Sequence, residues 1–236
     1  MGYVVLPALI PDIVKVYDVY FAAFADDAIT KALFPGTPKE DMLNPESEFR
    51  KTHAKHVLAY WHTSSTQYTL KCIDTETNEI VGMGLLDVYI TPSEWKKGGL
   101  LWLQGEERER AEALLEPMWN AREKLFDEER YVYPHVIAVH PDVQRKGIGK
   151  LLTEYGLRVA EQADLPAYLE SSMKGEGLYE KLGFRRLQEK IVHKAGTVMT
   201  GTADVEIPLM VWVPEGREDI LPKAVKDILP NTGKSA

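Results

Sequence analysis

Apolar residues recur along this chain in two rhythms, one of period two and one of three to four, and the switches between them mark out alternating strands and helices. Residues 3–10 read as a first strand. Asp12 stands where a helix N-cap is expected, and Ile13, Val16, Tyr17, Tyr20 and Phe24 follow on one helical face. Pro35, Gly36 and Pro38 rule out one continuous helix over residues 26–44, although Asp27 to Phe34 suits a short turn. A second helix is predicted over residues 46–62. Gln67 to Asp74 alternates as a strand, with Cys72 in phase with Tyr68 and Leu70 and read as core; Thr75 to Asn78 turns the chain, and Ile80 to Tyr89 completes a hairpin. Gly82 and Gly84 predict a bulge or a close approach in that second arm.

From Thr91 to Arg130 the chain makes a long excursion, irregular through Pro92, Gly98, Gly99 and Gly105, then helical with Ala111, Leu114, Leu115, Met118, Trp119, Arg122, Leu125 and Phe126 on one stripe. Val136 to Val139 is apolar throughout, as expected of a strand covered on both faces. The helix that follows, 147–163, turns Ile148, Leu151, Leu152, Tyr155, Val159 and Ala163 inward. Ala167 to Glu170 is a further strand, so residues 136–170 form a strand-helix-strand crossover with its strands parallel. Leu178 to Leu182 reads as a short helix closed by Gly183, and Phe184 to His193 and Asp204 to Val213 as a last strand pair around Gly196 and Gly201. Residues 1–214 are therefore expected to form one domain, with an insertion at 91–133, and residues 215–236 a polar, partly ordered tail.

Charge and composition narrow the function classes. A formal charge of −8, with 36 acidic against 28 basic residues, argues against a nucleic-acid partner. No run is long and apolar enough to span a bilayer, no signal peptide is evident, and Cys72 is the only cysteine, so a reducing, cytoplasmic setting without membrane or thiolate-metal chemistry is expected. His53 and His56, at i and i+3 on a predicted helix, lack a third ligand and read as a solvated face; no metal site is expected. Trp95, Trp102 and Trp119 suit an apolar acceptor pocket, while Trp119 equally fits the core stripe.

Against this acidic background Gln144, Arg145, Lys146, Gly147, Ile148, Gly149 and Lys150 form a basic, glycine-containing joint between strand and helix. Such a joint is built to hold an anion, with the helix's first amides and dipole directed at it. It is neither a P-loop, because Gln144 and Leu151 stand where a glycine and a Ser or Thr are required, nor a dinucleotide GxGxxG, which Leu152 breaks. Gln-Arg-Lys-Gly-Ile-Gly resembles the Q/R-x-x-G-x-G/A loop of the GNAT (GCN5-related N-acetyltransferase) superfamily. A second segment, Ser172 to Phe184, is similar to that family's N-x-x-A-x-x-L-Y-x-x-x-G-F signature and follows at the expected distance. Two motifs in order are far more specific than one, and the long insertion is similar to that of fungal-type small-molecule acetyltransferases.

The resemblance implies a mixed α/β fold with a mostly antiparallel central sheet, a splayed parallel strand pair and flanking helices. It implies acetyl-CoA as acyl-donor co-substrate, held by the backbone of Ile137, Ala138 and Val139 and by the loop Gln144–Lys150. Ser172 stands where many members have a CoA-touching asparagine. Tyr179 matches the tyrosine that acts as general acid to the CoA thiolate. The base is open: Glu170 comes first, then Asp87, His135 and Glu106, or water. The expected activity is acetylation of a primary amine on a small molecule by a monomer or homodimer; a protein lysine or N-terminal acetyltransferase and a non-catalytic acyl-CoA-binding module are the alternatives.

Overall fold

The computed structural model describes residues 2–196 and 202–230, so the expectation placed on Gly201 lies outside it. The elements are β1 (Tyr3–Pro7), α1 (Ile13–Phe24), α2 (Ala28–Leu33), α3 (Lys39–Leu43), α4 (Glu48–Thr63), β2 (Gln67–Asp74), β3 (Ile80–Val88), α5 (Gly105–Phe126), β4 (Val132–Val139), α6 (Ile148–Ala163), β5 (Ala167–Glu170), α7 (Glu176–Lys181), β6 (Arg185–His193), β7 (Val205–Trp212) and α8 (Lys223–Lys226). The sheet order is β1-β2-β3-β4-β5-β7-β6. β1–β2, β2–β3, β5–β7 and β6–β7 pair antiparallel and β4–β5 parallel, the mixed, mostly antiparallel arrangement expected. Among the described residues no helix is long and apolar enough to cross a membrane. Two compact units divide the chain: residues up to Val88 with Pro134–Arg158, and Tyr89–Tyr133 with the residues from Val159 onward.

In the first unit α1 packs on β3 and on α4, and its buried set is wider than the stripe of one face: Val19 and Phe21 join Ile13, Val16 and Tyr17. A helix covered on two sides needs that breadth. β1 ends at Pro7, short of the predicted residue 10, because the chain enters a 3-10 turn over Ile10–Asp12 that carries Pro11. Asp12 precedes α1 as expected but does not cap it; its Oδ2 accepts from the Leu9 amide at 2.7 Å and from Lys71 Nζ at 2.6 Å. α4 opens at Ser47, whose Oγ accepts from the Arg50 amide. The buried Arg50 guanidinium donates to the carbonyls of Met42 and Val14 and to Asp18, tying three helical segments together.

The close approach foreseen at Gly82 is real. A Cβ there would stand 2.7 Å from Ile148 Cγ2 and 2.9 Å from Cys72 Cβ, so the glycine is what lets α6 lie directly on β3. Leu70 and Cys72 are buried beneath, whereas Tyr68, in the same phase, is exposed. The β-bulge lies in the same arm: Cys72 pairs with Gly82 and Ile73 with Ile80, so Val81 of β3 is the extra residue. β4 alternates as a doubly covered strand: Val136 and Ala138 join the α1 cluster, and Ile137 approaches Gly84 on the other face.

The second unit is built around Phe126, Tyr131, Tyr133, Tyr168 and Leu187 with contributions from β6 and β7. β4 begins at Val132, four residues before the predicted strand, because Pro134 reads as a breaker although it sits inside the strand. Val132 pairs in parallel with Ala167, and its amide donates to the Pro166 carbonyl at 2.9 Å. The segment beyond Pro214, read as a tail, carries a 3-10 turn at Glu218–Ile220 and α8; Leu221 and Val225 enter the same core at 3% and 0% exposure. The Gln188 amide donates to the Ile228 carbonyl at 2.9 Å. Replacing Leu221 by Ala is therefore expected to cost about 2–5 kcal/mol in chemical denaturation, the range for a buried leucine, where a loose tail predicts a change near zero.

Candidate functional site

The first unit carries the loop. Beyond Val139 the chain is fixed by the His140 amide, which donates to the Val81 carbonyl at 3.0 Å, and turns through a 3-10 segment over Pro141–Val143. Gln144 sends its Nε2 back to the Val139 carbonyl at 3.2 Å, bracing the end of β4. Arg145 and Gly147 both adopt left-handed backbone, at φ 65° and 85°. For a non-glycine residue this costs on the order of 1 kcal/mol, a strain found at ligand-holding turns. A Cβ on Gly147 would meet nothing within 4 Å, so the glycine serves the dihedral and not the space. Such alternation turns successive amides toward one point, and α6 then begins at Ile148, its first amides without helical acceptors. Ile148 is buried against Gly82, while Arg145, Lys146 and Lys150 are exposed around the turn. Lys150 also approaches Glu154 at 3.6 Å.

On the same strand His135 Nε2 lies 2.7 Å from Asp87 Oδ2. Asp87 is buried and His135 partly open, so the carboxylate orients an imidazole that keeps access to solvent. Two of the residues proposed as bases are thus one hydrogen-bonded pair.

The second unit holds the other candidates. Glu170 ends β5, and Tyr133 donates to its Oε2 at 2.6 Å, while Oε1 is buried without a partner. The Tyr168 hydroxyl is directed to the same carboxylate without reaching hydrogen-bond geometry. Burial raises the Glu170 carboxyl above its ordinary value, with Tyr133, Tyr168 and Arg122 pulling against that rise. Arg122 is buried with its guanidinium carbon 3.8 Å from the Tyr133 ring centroid and 4.3 Å from that of Trp95, and donates to the hydroxyls of Tyr131 and Tyr89. Arg122, on the α5 stripe, is thus the second charge of this cluster. Sequence periodicity placed it inward but gave no hint that it faced tyrosines.

Tyr179 lies in α7 with its ring 5.5 Å from that of Phe184, and its carbonyl accepts from the amides of Leu182 and Phe184. A Cβ on Gly175 would sit 3.1 Å from the Tyr179 ring, so the glycine at the motif's small-residue position makes room for it. Gly183, at φ 88°, closes the helix as expected. Burial pushes the Tyr179 hydroxyl up to about 12. Ser172 accepts from the Gly175 amide at 3.1 Å, so its hydroxyl is engaged in the turn that leads to α7. Glu106 is taken up in an exposed pair with Arg110. Of the tryptophans, Trp95 covers Arg122, Trp119 is half-buried and Trp102 exposed.

The reading of His53 as part of a solvated face is overturned, while His56 is exposed. The His53 ring stands within 4.6–6.0 Å of the rings of Tyr17, Phe21, Phe34 and Phe49, and its Nδ1 is buried without a partner. The spacing of α4 alone did not reveal that face because its polar residues outnumber its apolar ones.

Residues 107–186, which contain the loop and Tyr179, match the acetyltransferase (GNAT) domain family. A probable acyltransferase SID5 from Ajellomyces capsulatus is 36% identical over 121 residues, 51% of this chain and 82% of that protein. The fold is similar to arylalkylamine N-acetyltransferase 2 of Aedes aegypti, with a TM-score of 0.64 at 15% identity over 90% of this chain and 99% of that one. It is also similar to a histone acetyltransferase HPA2-related acetyltransferase of Corynebacterium glutamicum, with a TM-score of 0.58 at 22% identity over 91% and 97%. With the matched domain, the curated relative and the fold in agreement, the chain belongs to the GNAT superfamily and is an N-acetyltransferase of that family.

Proposed function

We propose that this enzyme transfers the acetyl group of acetyl-CoA to a primary amine of a small molecule by direct attack in a ternary complex. The observation that carries this reading is the left-handed Arg145–Gly147 turn opening α6, a backbone shape suited to a pyrophosphate. Gln144–Lys150 take the phosphates by amides and charge, and the main chain of Ile137–Val139 takes the pantetheine and polarises the thioester carbonyl. Ser172 adds little, since its hydroxyl already serves Gly175. That a compared structure is named for arylalkylamines supports a small acceptor.

In the reaction the amine lone pair attacks the thioester carbon and the carbonyl pair moves to oxygen. Collapse of that oxyanion breaks the carbon–sulfur bond, giving the amide and a thiolate. The amine's surplus proton passes to a base, and the thiolate takes a proton or a hydrogen bond from Tyr179. A hydroxyl held near 12 is about three units less acidic than an ordinary thiol, so complete transfer is uphill by roughly 4–5 kcal/mol. Tyr179 therefore acts mainly as a hydrogen-bond donor to the growing negative charge. Glu170 suits the base role, with one oxygen held by Tyr133, the other unpartnered and its proton affinity raised by burial. The Asp87–His135 pair favours a second assignment of the base.

Release of free CoA with a panel of small amines, set beside a lysine peptide, tests the activity; turnover on the peptide alone shifts the reading to a protein acetyltransferase, and none on either leaves a CoA-binding module. Gly147→Val places a β-branched residue at φ 85° and is expected to abolish measurable acetyl-CoA binding in calorimetry while helix content stays unchanged. Undiminished affinity removes the loop from the cofactor site.

Tyr179→Phe keeps the ring against Phe184 and removes one hydroxyl. The expected fall in kcat is roughly 10²-fold, the lower end for a positioned acid, with an unchanged melting curve. A kcat near wild type takes Tyr179 off the catalytic path.

The pH profile separates the bases. With Glu170 in the role, the acid limb of kcat/KM lies above 4.5 and disappears in Glu170→Gln. Loss of that limb in His135→Gln instead assigns the base to the imidazole. The fold raises the Glu170 pKa, so stability is fullest where the carboxyl is protonated in both folded and unfolded states and declines as pH rises from 4.5 through the folded value. Glu170→Gln is accordingly expected to gain in melting temperature relative to wild type toward neutral pH.

A further inference from the structure

The sheet ends at β1, so the far side of that strand pairs with no other strand among the described residues. We propose that this edge is the docking surface for a second copy of the chain, which adds its own β1 antiparallel across a two-fold axis through Val5.

The register shows which main-chain groups face outward. The Thr75 amide donates to the Gly2 carbonyl at 3.0 Å and the Ala8 amide to the Thr69 carbonyl at 2.8 Å. Between these two points the pairing runs without a break from Tyr3 opposite Asp74 to Pro7 opposite Leu70. Bonded and unbonded pairs alternate along an antiparallel ladder. Gly2, Val4, Leu6 and Ala8 therefore turn their main chain to β2, and Tyr3, Val5 and Pro7 turn theirs outward. Pro7 agrees with this, since a proline fits a strand where its missing N–H faces away from the neighbour.

These outward groups are complementary to themselves. With the axis through Val5, the two Val5 residues exchange both of their N–H···O bonds, and Tyr3 of each copy donates to the Pro7 carbonyl of the other. Every outward donor finds an acceptor, and the donor that Pro7 lacks falls opposite Tyr3 at the start of the strand. The same axis sets Val4 of each copy against Leu6 of the other in the unbonded pairs, where side chains approach most closely. Both are apolar and open in the single chain, at 39% and 42% exposure. An axis at Val4 would set Leu6 against Gly2 instead, and one at Leu6 would leave Tyr3 opposite Leu9, outside β1.

Charge then favours a second copy over a charged partner. Residues 2–11 carry no charge, in a chain where 27% of residues are charged and the net charge is −8. Two such copies repel, and they meet at least cost where the surface between them is neutral. Asp12, the first charge beyond the stretch, is already matched by Lys71 at 2.6 Å. Sheets kept apart commonly carry lysines along a free edge. β1 has none, and Leu9 and Ile10 just beyond it are exposed.

The test is sedimentation equilibrium of the full chain over a concentration series. Wild type is expected to rise from 26.7 kDa toward twice that mass. Val5→Pro removes an outward amide from each copy and leaves the β1–β2 bonds in place. It should keep the wild-type melting curve while self-association weakens roughly 30-fold, the worth of two net hydrogen bonds. Charge tests the register. Val4→Glu and Leu6→Lys should each impair self-association, and an equimolar mixture of the two should associate severalfold more tightly than either alone, because the axis brings those positions face to face. A wild-type mass of 26.7 kDa at every concentration overturns the proposal. So does a dimer that Val5→Pro leaves unweakened, or one that the charged mixture fails to restore.

Discussion

A missing side chain governs the placement of the loop. At Gly82 the gap between β3 and α6 is narrower than a methyl group requires, and Ile148, the first residue of α6, fills the space that a Cβ would need. One residue away, the Val81 carbonyl receives the His140 amide, so the loop is fixed to β3 at its entry and at its exit. Between those two points the chain turns through the left-handed dihedrals of Arg145 and Gly147. The position of the cationic turn is thus set by packing beneath it, and the charges on Arg145, Lys146 and Lys150 need not hold the turn themselves.

The second unit solves a different problem. It buries a guanidinium and a carboxylate in a core that includes Tyr89, Tyr131, Tyr133 and Tyr168, and each charge meets tyrosine hydroxyls or rings there. Burial works against the charge on Arg122, but the hydroxyls of Tyr131, Tyr133 and Tyr89 outweigh it and hold the guanidinium above its ordinary value. Tyrosine is suited to this because its body packs as a hydrophobe while its hydroxyl orients dipoles where water is excluded.

Much of this was legible in the sequence because local rules and tertiary packing agree there. The β2–β3 hairpin, α6, β5 and the glycine closing α7 fall where alternation, helical spacing and C′ chemistry place them. The residue types of the loop pointed to anion binding before any fold was known. What was illegible depends on partners distant in sequence. His53 carries no local sign that Tyr17, Phe21 and Phe34 surround it, and α4 is too polar for its buried face to stand out. The segment after Pro214 hides Leu221 and Val225 among charges, and Pro134 disguises the first half of β4. The pairing of Asp87 with His135, 48 positions apart, is a matter of strand register alone.

The Arg122 cluster has a consequence for how the second unit handles protons. The guanidinium keeps its charge at any pH a cell reaches, and the hydroxyls of Tyr133 and Tyr168, both raised well above their ordinary range, keep their protons. Glu170 is the carboxylic acid of this group, and burial raises its proton affinity above the ordinary value. The cluster therefore sets one carboxyl against a fixed counter-charge: a proton gained or lost at Glu170 changes the local charge by one unit, while the guanidinium and the tyrosine hydroxyls keep theirs.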